Sequence, residues 1–282
     1  MRAPRPSADF GSAHPETPAP PRISVITVCR NALPALRRTA ASVLSQDYPG
    51  LDYWIVDGGS TDGTPEFLGA LAARGVRFVT EPDRGIADAM NKGIRLSGGE
   101  WIAHLHAGDE YLPGALDAVA QAGARASRAD VLCGYMLKRE PAGEVVYSCE
   151  PSRLPRDMTV NHPATWIRRA VFEAFGGFDE RYRRVMDYEF FLRLHLAGVR
   201  FEVIQRPLAV MEYGGLSERS LWRTLAESHR VRRRLLRSGR ERSFAYLVFL
   251  FARGLVRRAL QRIGLGRIVA WFRGRFALLK KA

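Results

Sequence analysis

The chain has 282 residues, 46% of them hydrophobic and 26% charged, with a formal net charge of +14. That length suffices for one large domain, or a domain with an appendage, around a sizeable core. From Leu216 to the end 18 Lys and Arg face 3 Asp and Glu, a net of +15, which leaves 25 basic and 26 acidic groups, a net of −1, in the first 215 residues. The near-neutral body is thereby excluded as a polyanion-binding surface, and any such partner meets the tail.

Residues 1–21 hold six prolines and no apolar run, and read as a disordered leader without a signal-peptide pattern. Ile23 to Val28 is a short β-branched run, and a helical pattern follows from about Leu33 to Gln46. Tyr53 to Val56 is the second strand, Pro65 to Arg74 the second helix, and Val76 to Thr80 the third strand. Ile86 to Leu96 is a helix closed by Ser97-Gly98-Gly99, and Trp101 to Leu105 the fourth strand. This strand–helix alternation argues for a mostly parallel sheet covered on both faces. Beyond it the rhythm loosens. Pro113 to Ala124 is helical, Val131 to Leu137 and Glu144 to Tyr147 are strands, and Pro151 to Asn161 is loop. Val171 to Phe175 and Asp187 to Ala197 are helices, and Phe201 to Ile204 and Ala209 to Tyr213 are the last strands.

Three junctions along this framework carry acids. Tyr53-Trp-Ile-Val-Asp-Gly-Gly-Ser-Thr-Asp-Gly-Thr64 is an apolar run that ends abruptly in an acid, two glycines, a hydroxyl pair and a second acid. Trp101-Ile-Ala-His-Leu-His-Ala-Gly-Asp-Glu110 repeats the pattern, and Val185-Met-Asp-Tyr-Glu189 opens a helix with two more acids. Buried parallel strands deliver polar side chains in this way to the edge of an open sheet, where ligands sit, so the three junctions point to a metal and a phosphorylated ligand. Cys29, Cys133 and Cys149 are odd in number and lack metal-site spacing, which favours a reduced, cytoplasmic setting.

From about Ile23 to Ser217 the chain resembles the family 2 glycosyltransferases, nucleotide-sugar-dependent enzymes of GT-A fold. The resemblance rests on Thr27-Val-Cys-Arg-Asn31, Ser42-Val-Leu-Ser-Gln-Asp-Tyr-Pro49, Val56-Asp-Gly-Gly-Ser-Thr-Asp-Gly-Thr64 and Glu81-Pro-Asp-Arg-Gly-Ile-Ala-Asp-Ala-Met-Asn-Lys-Gly93. It continues through Gly99-Glu-Trp-Ile102, Ala107-Gly-Asp109, Gly176-Gly-Phe-Asp179 and Asp187-Tyr-Glu-Phe-Phe-Leu-Arg193, in that order and spacing. The wording is nearest to the branch that builds capsule, exopolysaccharide and lipopolysaccharide repeat units. The implied fold is α/β: a GT-A type open, mostly parallel sheet with helices on both faces, over residues 22–215, followed by a basic amphipathic helical extension over 216–282.

The resemblance also assigns roles. Asp57 takes the base and ribose of the donor, with Thr27 and Asn31 among the donor-binding residues. Many relatives carry two acids at this point; here the second is Gly58. Asp83, Arg84, Asp88, Asn91 and Lys92 face the nucleotide and diphosphate, although Asp88 and Lys92 also read as a solvated helix start, and Met90 stands where many relatives have arginine. Asp109 is the ligand of a divalent Mg or Mn ion; Gly108 replaces a preceding acid, and His106 stands where Asp or Asn is common. His106 reads equally as a metal ligand, a diphosphate donor or a packing residue, and His104 as core. Asp187 is the general base of a single displacement, with helix capping as the alternative, and Glu189 is its support. His162 lies near the acceptor or diphosphate, or is a structural loop histidine, and Gly214, Gly215 and Ser217 form a strand-exit loop that closes on donor. The Gln-x-x-Arg-Trp signature of processive synthases is absent, which argues for one sugar per event.

In the tail, Arg253, Arg257, Arg258, Gln261 and Arg262 fill one half of a helical wheel and Leu255, Val256, Ala259, Leu260 and Ile263 the other. Such a helix suits an anionic membrane surface, with packing on the body or a dimer partner as the alternative, and no motif for nucleic acid accompanies the charge. The longest uncharged apolar run, Phe244 to Ala252, is far short of the ~20 residues that span a bilayer. The expectation is a peripheral cytoplasmic enzyme on the inner face of the cell membrane. It moves one sugar, by inversion, from a nucleoside diphosphate to a saccharide or lipid-linked acceptor. The rival is a catalytically silent nucleotide-sugar-binding scaffold.

Overall fold

The computed structural model describes residues 20–126, 128–140, 143–212 and 220–262. The expected leader lies outside these residues except for its end, where the Pro21 carbonyl accepts a hydrogen bond from the Tyr48 hydroxyl at 2.7 Å. Strands β1 (Ile23–Cys29), β2 (Leu51–Asp57), β3 (Arg77–Thr80) and β4 (Trp101–His104) alternate with helices α1 (Leu33–Leu44), α2 (Thr64–Ala72) and α3 (Ile86–Leu96). They form the parallel order β3-β2-β1-β4. Helices cover both faces, so the strands are apolar on both sides. Along β1, Ile23 and Val25 join α1 and α2 in one core, while Ile26 and Val28 join α3 in the other. Gly93 lets α3 lie close on β1, because a Cβ there would run into Ile26.

The chain steps outward from β1 to β3 and then returns to lay β4 on the other side of β1. That reversal opens a crevice at the carboxyl ends of β1 and β4, the usual ligand position in an open α/β sheet.

The second half contains β5 (Glu110–Tyr111), α4 (Ala115–Arg125), β6 (Val131–Glu140), β7 (Gly143–Tyr147), β8 (Thr165–Arg168), α5 (Arg169–Phe175), α6 (Met186–Leu196) and β9 (Phe201–Glu212). β8 runs antiparallel between β4 and β6, and β9 runs parallel to β6. β5 and β7 are antiparallel to β9 and β6. The parallel character is thus concentrated in the first half, and the whole sheet is mixed. The two runs expected around Phe201 and Ala209 are one strand. Pro207 does not break it, because it pairs with Tyr135 where the ladder shifts register, a bulge that tolerates the missing amide. The basic extension forms α7 (Leu221–Leu235) and α8 (Phe244–Arg262), with α7 packed on α6 and α8 on α7. Gly214, Gly215 and Ser217 lie outside the described residues.

A side chain on α3 joins the two halves. Asn91 Nδ2 donates to the Phe178 carbonyl at 2.9 Å, and Asn91 Oδ1 accepts from the Phe178 amide at 2.8 Å. Gly177 is required beside this pairing, since a Cβ there would collide with Asn91 Oδ1. Loss of a well-made hydrogen bond costs about 1 kcal/mol net, and more where a buried partner is stranded. Asn91→Ala is therefore expected to lower Tm by roughly 4–8 °C in a chain of this size, and Gly177→Ala to lower it as well. Scanning calorimetry that finds both variants unchanged would remove the clamp from the fold.

Candidate active site

The exits of β1 and β2 are sewn together by side chains. Asn31 adopts φ 48°, a left-handed conformation that Asn tolerates. Its amide donates to Ser60 Oγ at 2.7 Å and its Oδ1 accepts from the Thr61 amide at 2.8 Å. Asp57 ends β2 fully buried; its Oδ2 accepts from the Ser60 amide at 3.1 Å and its Oδ1 from the Ser60 hydroxyl. Asp57 thus caps its own turn as well as facing the strand edge. Asp62 caps the next one, accepting from the Thr64 hydroxyl at 2.6 Å and the Leu33 amide at 3.0 Å. Burial, and then the charge of Asp57, pushes the neighbouring Cys29 thiol up to about 12, which leaves it inert as a nucleophile. Thr27 departs from its expected place: its side chain is fully buried and shares a 3.0 Å hydrogen bond with the Tyr53 hydroxyl inside the core.

The acid missing from the β2 motif is supplied from elsewhere. A Cβ on Gly58 would stand 2.9 Å from Asp83 Oδ2, so the loop after β3 places a second carboxylate beside Asp57. Asp83 is held there by Lys92, whose Nζ donates to Asp83 Oδ1 at 2.6 Å and the Pro82 carbonyl at 3.0 Å and lies 2.9 Å from Glu81 Oε1. Burial alone would lower the Lys92 pKa, but these carboxylates raise it above the usual lysine value. Its charge is therefore matched within the protein and it anchors the loop, which differs from the expected phosphate contact. Asp88 is similarly engaged, accepting from the Arg84 amide at 3.0 Å and guanidinium at 3.2 Å, and these bonds hold it below the ordinary carboxylate range. Arg84 also pairs with Glu180 at 2.9 Å. Asn91 is committed to Phe178, and Met90 is buried in the core. Arg30, not singled out by any sequence motif of its own, is exposed at the end of β1 and makes no ion pair among the described residues.

Across the crevice, β4 delivers His104 and His106 to one face, where they meet His162. Ring centroids are 5.8 Å apart for His104 and His162, and 5.2 Å for His106 and His162. His104 Nδ1, His106 Nδ1 and His162 Nε2 are buried without hydrogen-bond partners among the described residues. Burial and the neighbouring imidazoles push His106 down to about 3, and burial pushes His162 down to about 4. All three rings are neutral at physiological pH, His104 being lowered by the same causes. The period of two that brings His104 beside His106 was available in the sequence; the approach of His162 from a distant loop was not.

Thr39 shapes the turn after β4. Its hydroxyl accepts from the Gly108 amide at 2.9 Å and donates to the Asp109 carbonyl at 2.7 Å. Gly108 has φ 111°, which side-chain-bearing residues rarely adopt, so this turn is built for glycine where relatives carry an acid. Burial, and then the charge of Glu212 at the end of β9, pushes Asp109 up to about 7, against opposing help from the Glu212 amide and Lys138. That is a carboxyl short of positive charge, and it suits a hard divalent cation. Among the described residues no group of three or more His, Cys, Asp and Glu side chains could hold a metal by itself. Asp109 therefore fits an ion whose remaining ligands are substrate phosphate and water.

Asp187 is the second residue of α6, and the residue before the helix, Val185, offers no side-chain cap. The Asp187 Oδ1 accepts the adjacent Tyr188 amide at 2.8 Å, and burial pushes the carboxyl up to about 6. Glu189, in contrast, is buried against Arg193 at 3.0 Å, and Arg193 also donates to the Phe175 and Gly177 carbonyls at 2.6 and 2.8 Å. The turn before α6 is held by Glu227 of α7, whose Oε2 accepts from the Arg183 and Arg184 amides at 3.2 and 2.9 Å. His162 packs between the segment after β4 and α6, its ring lying 5.2 Å from that of His106 and 5.8 Å from that of Phe191, one turn after Asp187.

The chain is similar to known proteins in sequence and in fold. An uncharacterized glycosyltransferase of Mycobacterium tuberculosis is 33% identical over 184 residues, covering 62% of this chain and 70% of that one. A PGL/p-HBAD biosynthesis glycosyltransferase of Mycobacterium bovis is 29% identical over 208 residues, covering 71% and 80%. In structure, S. aureus TarS 1-349 in complex with UDP-GlcNAc matches with TM-score 0.63 at 17% identity over 85% of this chain and 73% of that one. The mannosyltransferase PcManGT of Pyrobaculum calidifontis in complex with GDP-Man and Mn2+ matches with TM-score 0.58 at 18% identity over 89% and 81%. The family model for glycosyl transferase family 2 matches residues 24–206, and the chain belongs to that family.

Proposed function

We propose that this glycosyltransferase moves one sugar per event, with inversion, from a nucleoside diphosphate to a saccharide or lipid-linked acceptor, working peripherally at the cytoplasmic face of a membrane in cell-surface polysaccharide synthesis. The observation that supports the reading is that burial raises two acids, Asp109 after β4 to about 7 and Asp187 at the start of α6 to about 6, above the ordinary carboxylate range. The nucleotide-sugar and Mn2+ complexes of the structural neighbours support a donor of that class and a divalent ion.

In this reading the Asp57 and Asp83 edge receives the nucleoside, with hydroxyl and imide donors meeting the carboxylates. Asp109 holds a divalent cation, which supplies charge neutralisation to the departing diphosphate. Arg30, which makes no ion pair among the described residues, is available to the diphosphate, and neutral His106 and His162 offer N–H groups to it. Asp187 takes the acceptor hydroxyl proton as that oxygen attacks the anomeric carbon. A single displacement of this kind inverts the anomeric centre.

Hydrolysis of a panel of UDP-, GDP- and dTDP-sugars with and without Mg²⁺ or Mn²⁺ tests the metal role. One donor is expected to turn over only with metal, and Asp109→Ala to lose that turnover by ~100-fold or more. Metal-independent donor binding without turnover would instead support a silent scaffold.

The base assignment carries a separate signature. Asp187→Asn is expected to keep donor affinity and to lose transfer by about 10²–10⁴-fold. Because its pKa is raised from 3.8 to about 6 in the fold, the protonated form is the one folding favours. Stability from this group is present below the unfolded pKa and is lost as pH rises through the folded value. At neutral pH the asparagine variant is therefore expected to have a Tm equal to or above that of the parent, while kcat of the parent rises with pH through about 6. A variant that transfers normally, or a kcat flat from pH 5 to 8, would sink the assignment.

A further inference from the structure

Helix α8 is apolar on two opposite sides, and the fold uses only one. Leu247 and Leu250 are buried, and Gly254 admits Leu221 of α7, where a Cβ would approach Leu221 Cδ2 to 2.6 Å. The other side faces outward: Phe244 is 65% exposed, Phe249 57% and Val256 60%, with Val248 and Leu255 also exposed. At ~100° per residue these positions fall in one arc of roughly 140°, and from Phe244 to Ala259 that arc holds only Phe, Ala, Val and Leu. Trp222 of α7, also exposed, extends the patch beside Phe251, with ring centroids 5.3 Å apart.

We propose that this outward face lies in the interfacial layer of an anionic lipid bilayer. Charge identifies the occupant. Residues 220–262 carry 12 Arg against 2 Glu, a net of +10, and Glu227 and Glu241 are both occupied within the fold. A second copy would set +10 against +10. Residues 263–282 add five basic groups and no acid, so they too would bring like charge. A bilayer with anionic headgroups supplies apolar depth and opposite charge together. No helix among the described residues is long and apolar enough to cross a membrane, so α8 lies in the plane.

The face deepens the transferase reading and, for the acceptor, rests on it. Tyr246 donates to the Arg156 carbonyl at 3.0 Å and Arg253 pairs with Asp157 at 2.9 Å. Seating α8 at the headgroups brings that loop there also, and the loop reaches Tyr188 beside the base through Leu154 at 3.0 Å. The acceptor this geometry favours is a saccharide carried on lipid.

Deleting the tail would also remove the contacts of Glu227 and Tyr246, so point variants are the cleaner test. The full chain is floated with phosphatidylcholine vesicles, pure or mixed with phosphatidylglycerol. The parent is expected to bind only the mixed vesicles, and Phe249→Ser/Val256→Ser to lose partition by ~10-fold or more with unchanged Tm and unchanged donor hydrolysis. Undiminished partition, a lowered Tm, or conversion of a dimer to monomer in light scattering would each overturn the proposal, the last two because the face is then already covered by protein. A parent that floats but never hydrolyses donor would fail the transferase reading alone.

Discussion

The Asn91 carboxamide meets the Phe178 backbone with both its polar atoms, at 2.9 and 2.8 Å, and so ties α3 to the turn that leads into α6. α3 arises from the loop that holds Asp83 and Arg84, and Phe178 begins the turn that leads through Asp179 to Asp187. Bidentate pairing fixes both distance and orientation, which a single hydrogen bond does not. The same turn is gripped from its other side, because Arg193 donates to the Gly177 carbonyl. If this junction were loose, the acids on either side of the crevice would have no defined separation, and positional precision is what converts bound groups into catalytic ones.

Acids are plentiful around the crevice, and their partners sort them. Asp83 is matched by Lys92, Asp88 by Arg84, Glu189 by Arg193, and Asp179 by Arg181 and Arg234 at 2.6 and 2.7 Å, which hold it well below the usual carboxylate range. These pairs fix loops and helix ends. Asp109 and Asp187 are pushed the other way by burial. Keeping an acid in an environment that disfavours its charge costs stability, and such a cost persists where a ligand or a proton transfer uses it. The arrangement of partners separates these two acids from the paired ones in a way the motifs do not, since Asp88 and Asp109 look alike in sequence.

Much of this was legible beforehand, for reasons that are local. β1, β2 and β4 announce themselves as apolar runs because both of their faces are covered. Asp57, Asp109 and Asp187 were legible because each sits at an abrupt apolar-to-polar junction. β8 was not, since four residues ending in Arg168 carry little pattern and take their identity from β4 and β6 on either side. The partners of Lys92 and Asn91 were not legible for a related reason: a polar residue on a helix looks the same whether it faces a ligand or a neighbouring loop. The carboxylate that stands beside Gly58 and the imidazole that joins His104 and His106 arrive from distant segments, and no local spacing encodes a meeting of that kind.

The C-terminal hairpin belongs to the site's architecture and is more than an appendage to it. Glu227 holds the amides that precede α6, Arg234 reaches Asp179, and the buried Arg232 lies 5.9 Å from the Tyr188 ring and 5.5 Å from that of Tyr246. Every basic residue between 220 and 262 is arginine. A lysine ammonium is compact and strongly hydrated, whereas a guanidinium is planar, weakly hydrated and able to stack on aromatic faces while staying charged. Arg232 can therefore be buried against Tyr188 and Tyr246, with its Nε donating to the Glu241 carbonyl at 3.2 Å. The same chemistry lets exposed guanidiniums make forked contacts with phosphate. One residue type thus serves both requirements of the hairpin, a charged surface outside and a packed contact with α6 inside.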